Sequence, residues 1–194
     1  MNCGNKVQTK LDASGFTLVE VMIAVAVLSI GLLGAANLIT YNISNSAKAI
    51  NKTIATNLAQ EGIELARNIR DTNWFSGSSW DNNLVQGLGN IRRIKFFCGG
   101  LINQNINPAP ANIDACGAAC RVYTYIKISD GSKCYSDDFG NRAGYNAPQA
   151  TDFYRLIILD KLDANSILAT ANIKWLERGD ARYLTTQEIL YNWR

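Results

Sequence analysis

The chain has 194 residues, a net charge of +3 and no histidine. That charge is too small to indicate nucleic-acid binding, and without histidine the commonest general base and the commonest metal ligand are missing. The length suits one modest domain with an appended element.

Residues 1–15 are short and polar, and no structure is expected there. Lys6 and Lys10 keep this end cytoplasmic under the positive-inside tendency. From Val21 to Ala47 the chain then carries no charge at all. At about 1.5 Å per residue, some 20 helical residues cross a bilayer core, so the run is long enough to span one. Glu20 stands one turn inside its start. An ionised carboxylate at that depth is costly and marks a functional partner. Thr17 and Glu20 have capping-box spacing, which predicts a helix starting near Thr17. Ser14-Gly15 lies before the apolar run, whereas a secretory signal has its small-residue cleavage site after it.

Gly15-Phe16-Thr17-Leu18-Val19-Glu20, followed by an uncharged helix, resembles the prepilin processing site of type IV pilins and pseudopilins. The resemblance covers about Ser14 to Ala36. It implies that a prepilin peptidase, a membrane aspartyl protease, cuts after Gly15 and methylates the new amine of Phe16. Residues 1–15 would then be a leader, and Glu20 would receive the N-terminal ammonium of a neighbouring subunit. Ala26-Val27-Leu28-Ser29-Ile30-Gly31-Leu32-Leu33-Gly34 is similar to V-type minor pilins and I-type minor pseudopilins. The implied partners are other pilin subunits in a helical filament, the peptidase, an inner-membrane assembly platform and the lipid bilayer. The implied location is the cytoplasmic membrane, with the leader inside and the head outside, followed by a cell-surface or periplasmic filament. Major subunits, minor subunits and type II secretion pseudopilins share this N-terminus, so the role within the class stays open.

Gly31 and Gly34 each cost about 1 kcal/mol relative to Ala in a helix interior. They suit either close helix packing in the membrane or local unwinding within a filament. Beyond Ile43 the pattern turns amphipathic, with Ile43, Ala47, Ile50, Ile54, Leu58, Leu65 and Ile69 on one stripe and Gly62 in its gap. Glu64 and Arg67 can pair at i,i+3. The helix is expected to run from about 17 to 70, roughly 80 Å, and to end at Asp71-Thr72-Asn73. Residues 16–43 are then a membrane and assembly helix, 44–71 an amphipathic helix under the head, and 72–194 an extracytoplasmic β-rich head.

Residues 71–90 are predicted as a loop, with Trp74, Phe75 and Trp80 anchoring it on the core. Strand signals follow at 93–98, 122–128, 153–159, 167–175 and 182–191. Turns are expected at Asp130-Gly131 and Gly179-Asp180. Residues 99–119 and 129–150 read as irregular. An α+β fold follows, one long helix packed on an antiparallel β-sheet, which agrees with the pilin-like fold that the resemblance implies.

Of the five cysteines, Cys3 falls in the leader. In an exported domain Cys98, Cys116, Cys120 and Cys134 form two disulfides, with the pairing open; a Cys₄ zinc site has poor spacing. Asp130, Asp137, Asp138, Asn141 and Asn146 offer oxygen ligands of the kind calcium takes, or a solvated turn. No nucleophile–base set is visible, so no catalytic residue, metal or cofactor is assigned. The competing expectations are a secreted or membrane-anchored enzyme or binding domain, cut after Gly34-Ala35-Ala36, and a single-span membrane protein that is never assembled.

Overall fold

The computed structural model describes residues 15–85, 92–98, 100–106 and 112–193. Residues 1–14 of the expected leader, with Cys3, Lys6 and Lys10, lie outside the described residues, as do Pro108 and Pro110. The chain divides into two compact units, Met1–Ala47 and Lys48–Arg194. Helix α1, Leu18–Phe75, contributes to both.

In the first unit the helix is continuous through Gly31 and Gly34, and its side chains from Leu18 to Ile43 are exposed. Two hydroxyls in this apolar stretch, those of Ser29 and Thr40, are satisfied within the helix. Ser29 Oγ donates to the Val25 carbonyl at 2.7 Å and Thr40 Oγ1 to that of Ala36 at 3.0 Å. Internal satisfaction is what an apolar solvent demands of such groups.

In the second unit the helix lies on a seven-stranded antiparallel sheet. The strands are β1 (Arg92–Phe97), β2 (Gly100–Ile106), β3 (Arg121–Ile126), β4 (Lys133–Ser136), β5 (Gln149–Asp163), β6 (Ser166–Glu177) and β7 (Asp180–Tyr191). Their order is β2-β1-β4-β3-β5-β6-β7. Strand β5 is the organiser. One long edge pairs with β6, while the other is shared end to end, with β3 opposite Gln149–Tyr154 and β1 opposite Ile157–Leu159. Its run Arg155–Leu159 is buried on both faces except for the partly buried Ile158, as a nearly continuous apolar run predicts. On β6, Ile167, Ala169, Ala171, Ile173 and Trp175 are buried in strict alternation, which matches the period-2 pattern of the sequence.

Four expectations need correction. First, the helix ends one turn late, which moves Trp74 and Phe75 from the expected loop onto the helix. Its stop is a Schellman motif: Gly77 has φ +71°, its amide donates to the Trp74 carbonyl at 3.2 Å, and that of Ser78 donates to Asn73 at 2.9 Å. Buried Asn73 fixes the loop beyond, its Nδ2 donating to the carbonyls of Trp80 and Asn82. Trp80 is buried there as expected, together with Leu84 and Val85, whereas Phe75 is 95% exposed.

Second, the buried face of the helix is not centred on the large aliphatics. Ala55, Leu58, Ala59, Gly62, Ile63 and Ala66 are buried; Ile54, Leu65 and Ile69 are only partly buried, and Ile50 is exposed. Small side chains let the helix backbone approach the sheet, and Gly62 sits where a Cβ would come within 2.4 Å of Ile157 Cδ1. Third, β2 and β4 occupy stretches that read as irregular. Strand β4 is a four-residue return from the Asp130-Gly131 hairpin, and β2 is rich in amides, which have poor β propensity. Fourth, the last turn lies one residue earlier, at Arg178-Gly179, both with positive φ as in a type I′ hairpin.

On the sheet face away from the helix, α2 (Ile113–Cys116) and a 3₁₀ turn (Gly117–Cys120) cover Leu156. Asn112 caps α2, its Oδ1 accepting the Ala115 amide at 2.8 Å.

Candidate processing and assembly site

The sequence-predicted processing residues lie together at the start of the helix. Gly15 and Phe16 precede it, and Phe16 is 81% exposed. Thr17 caps it: Thr17 Oγ1 accepts the Glu20 amide at 3.2 Å and the Thr17 carbonyl accepts the Val21 amide at 3.2 Å. This is the amide-accepting half of the predicted capping box. Glu20 is exposed in the first turn, where the helix dipole favours a negative charge.

Nothing within the described chain demands glycine at position 15. A Cβ there would meet no atom within 4 Å, and the residue is not among those with positive φ. Any requirement for Gly15 therefore has no source among the described residues. Gly31 and Gly34 are equally open.

Cys98, Cys116, Cys120 and Cys134 belong to the second unit. Cys98 pairs with Cys134, Cα–Cα 5.0 Å, closing the end of β1 onto β4, and Cys116 pairs with Cys120, Cα–Cα 5.5 Å, across α2 and its 3₁₀ turn. The carboxylates of residues 129–150 go to separate partners. Asp130 accepts from the Ser132 hydroxyl and amide, which hold its carboxyl below the usual range, with Lys127 nearby. Asp138 pairs with Arg142 at 2.7 Å. Asp137 is buried against Arg155. Among the described residues no group of three His, Cys, Asp or Glu side chains converges as a metal site would.

Sequence reasoning missed one polar cluster. Arg155, 1% exposed on β5, donates from Nε to Asp137 Oδ1 at 2.8 Å and from Nη1 to Glu61 Oε2 at 2.6 Å and to the Leu58 carbonyl at 3.2 Å. It ties the helix to the central strand from inside. The signal was a lone arginine in an otherwise apolar strand, since arginine is almost never fully buried unless paired. The predicted Glu64–Arg67 pair is present, and Arg67 also grips Glu188 on β7. Asp81 fastens the Trp80 loop to Lys161. Burial alone would raise its pKa, but donation from Lys161 and Ser79 outweighs this and lowers it.

A family model described as the prokaryotic N-terminal methylation motif matches residues 11–36, which include Gly15, Phe16 and Glu20. No curated protein and no solved structure matches the chain. The motif is the signature of type IV pilins and pseudopilins. Together with the α+β fold, the motif supports a pilin- or pseudopilin-like precursor. One helix among the described residues is long and apolar enough to cross a membrane. Motif and helix together fit a prepilin anchored in the inner membrane.

Proposed function

We propose that the chain is a structural, non-catalytic subunit of a type IV pilus or secretion pseudopilus, of the minor class, cut after Gly15 and assembled through its N-terminal helix. The observation that carries this is the methylation motif at the start of a Thr17-capped helix with Glu20 in its first turn and no charge from Val21 to Ala47. Cleavage creates an ammonium at Phe16, and methylation leaves it positive. In a low-dielectric bundle, pairing that charge with the Glu20 carboxylate of a neighbour is worth far more than in water, and an unpaired carboxylate is costly. Glu20 thus selects correctly staggered neighbours. The two disulfides support a head that faces an oxidising compartment outside the cytoplasm. The similarity of Ala26–Gly34 to minor subunits favours the minor class.

The test is the N-terminal mass of this chain in sheared filaments. A methylated Phe16 is the expected result. A chain beginning at Met1 or at Asn37 would sink the proposal. Gly15→Val is expected to leave the full-length precursor in the membrane, because the peptidase must approach that backbone closely.

A further inference from the structure

The end of α1 and the end of β7 meet at an exposed aromatic corner. Trp74 and Trp193 stand edge to face, centroids 5.0 Å apart and planes at 88°. Phe75 and Trp193 are 95% and 72% exposed. With Asp71, one helical turn before Phe75, these rings line a cleft of about 280 Å³. Large exposed aromatics clustered around a concavity mark a binding site more often than a solvated surface.

The corner is held in place. Trp74 Nε1 donates to Asn192 Oδ1 at 3.2 Å. The Arg70 guanidinium lies 4.7 Å from the Trp74 centroid and 5.8 Å from that of Trp193, and Arg70 Nε donates to Asp71 Oδ1 at 2.8 Å. Trp74 and Trp193, fixed in this way, lose little freedom when something docks on them, which is where rigid aromatic sites gain affinity.

The chemistry narrows the ligand. Arg70 already supplies the cation that these ring faces attract, so a quaternary ammonium would meet a like charge. A purely apolar insert would strip water from the Asp71 carboxylate without returning a hydrogen bond. A sugar ring meets both demands, since its C–H face lies on an aromatic ring while its edge hydroxyls donate to a carboxylate. The cleft sits just below the usual volume range for small ligands, about 300–1,000 Å³, which suits one ring rather than several. A second, polar cleft of about 400 Å³, lined in part by Glu64 and Asn68, shares Asp71 and continues along the helix. It offers a path for the hydroxyl-rich remainder of a longer chain. We propose that Trp74, Phe75 and Trp193, with Asp71 at the rim, bind a neutral hexopyranose unit of a glycan.

The experiment uses the full chain in a polyoxyethylene detergent, which has no sugar headgroup to compete. Saturation-transfer NMR is recorded with the methyl glycosides of glucose, galactose, mannose and N-acetylglucosamine. At least one is expected to bind saturably, with a dissociation constant on the order of 1 mM. Phe75→Ala and Trp193→Ala should each weaken that binding about tenfold, Phe75→Tyr should retain it, and Asp71→Asn should weaken it. Because Phe75 and Trp193 are largely exposed, these variants should melt as the parent does. A panel silent to about 50 mM, or binding that survives the Phe75→Ala/Trp193→Ala double variant, overturns the proposal. Neither outcome bears on filament assembly, which is scored separately by processing at Phe16.

Discussion

The two parts of helix α1 solve opposite problems with the same backbone. From Leu18 to Ile43 the side chains are apolar or uncharged apart from Glu20, and are exposed all round. From Ala55 to Ala66 the helix buries a narrow stripe of Ala, Gly, Leu and Ile against the sheet, with Glu61 at its edge paired to buried Arg155 and Glu64 exposed. The first part presents apolar surface that only a surrounding apolar phase satisfies. The second is satisfied within its own unit. An apolar helix face does not by itself say what covers it; the spread of that face around the helix does.

Asp137→Ala is the strongest way to break the self-sufficient part. It removes a buried partner of Arg155 and leaves the charge inside, so thermal unfolding of the head should show a loss of roughly 3–5 kcal/mol. Removing the Cys98–Cys134 bridge, which spans 36 residues, should cost about 4 kcal/mol, and removing Cys116–Cys120, which spans 4, about 2 kcal/mol. Paired Cys→Ser variants compared by denaturation check the order.

The glycines sharpen the contrast. Gly62→Val drives a side chain into Ile157 and should destabilise the head by about 1–3 kcal/mol. Gly31→Ala and Gly34→Ala meet open space and should leave head melting unchanged, while raising local helix propensity by about 1 kcal/mol each. The smallest effect on folding belongs to Glu20→Gln. Head stability should move by less than about 0.5 kcal/mol, while the amount of this chain in sheared filaments should fall sharply. Normal incorporation would show that Glu20 does not set the stagger.

The contrast also explains what the sequence made legible. An uncharged run with one glutamate at its edge needs no tertiary information, so Gly15, Phe16, Thr17 and Glu20 stood out. The long strands did too, because alternation along β6 and a solid apolar run on β5 are local patterns. The packing phase of the second part of the helix was hidden. Periodicity weights Ile and Leu above Ala and Gly, yet close approach to the sheet selects Ala55, Ala59, Gly62 and Ala66. Strand β4 is too short to alternate, and the disulfide pairing depends on where β1 and β4 meet. Gly77 could have located the helix end, had its place after Trp74-Phe75-Ser76 been read as a left-handed stop. Arg155 was overlooked because its partners lie 18 and 94 residues away.

Residues 18–43 are uncharged on every side apart from Glu20, and if the chain is anchored through them as proposed, the full-length protein has no soluble reservoir. Copies awaiting use are held in a film rather than a volume, and they meet by lateral diffusion at a shared depth and with a shared orientation. The quantity that governs their encounter is copies per area of lipid, so dilution of the surrounding fluid leaves their supply unchanged.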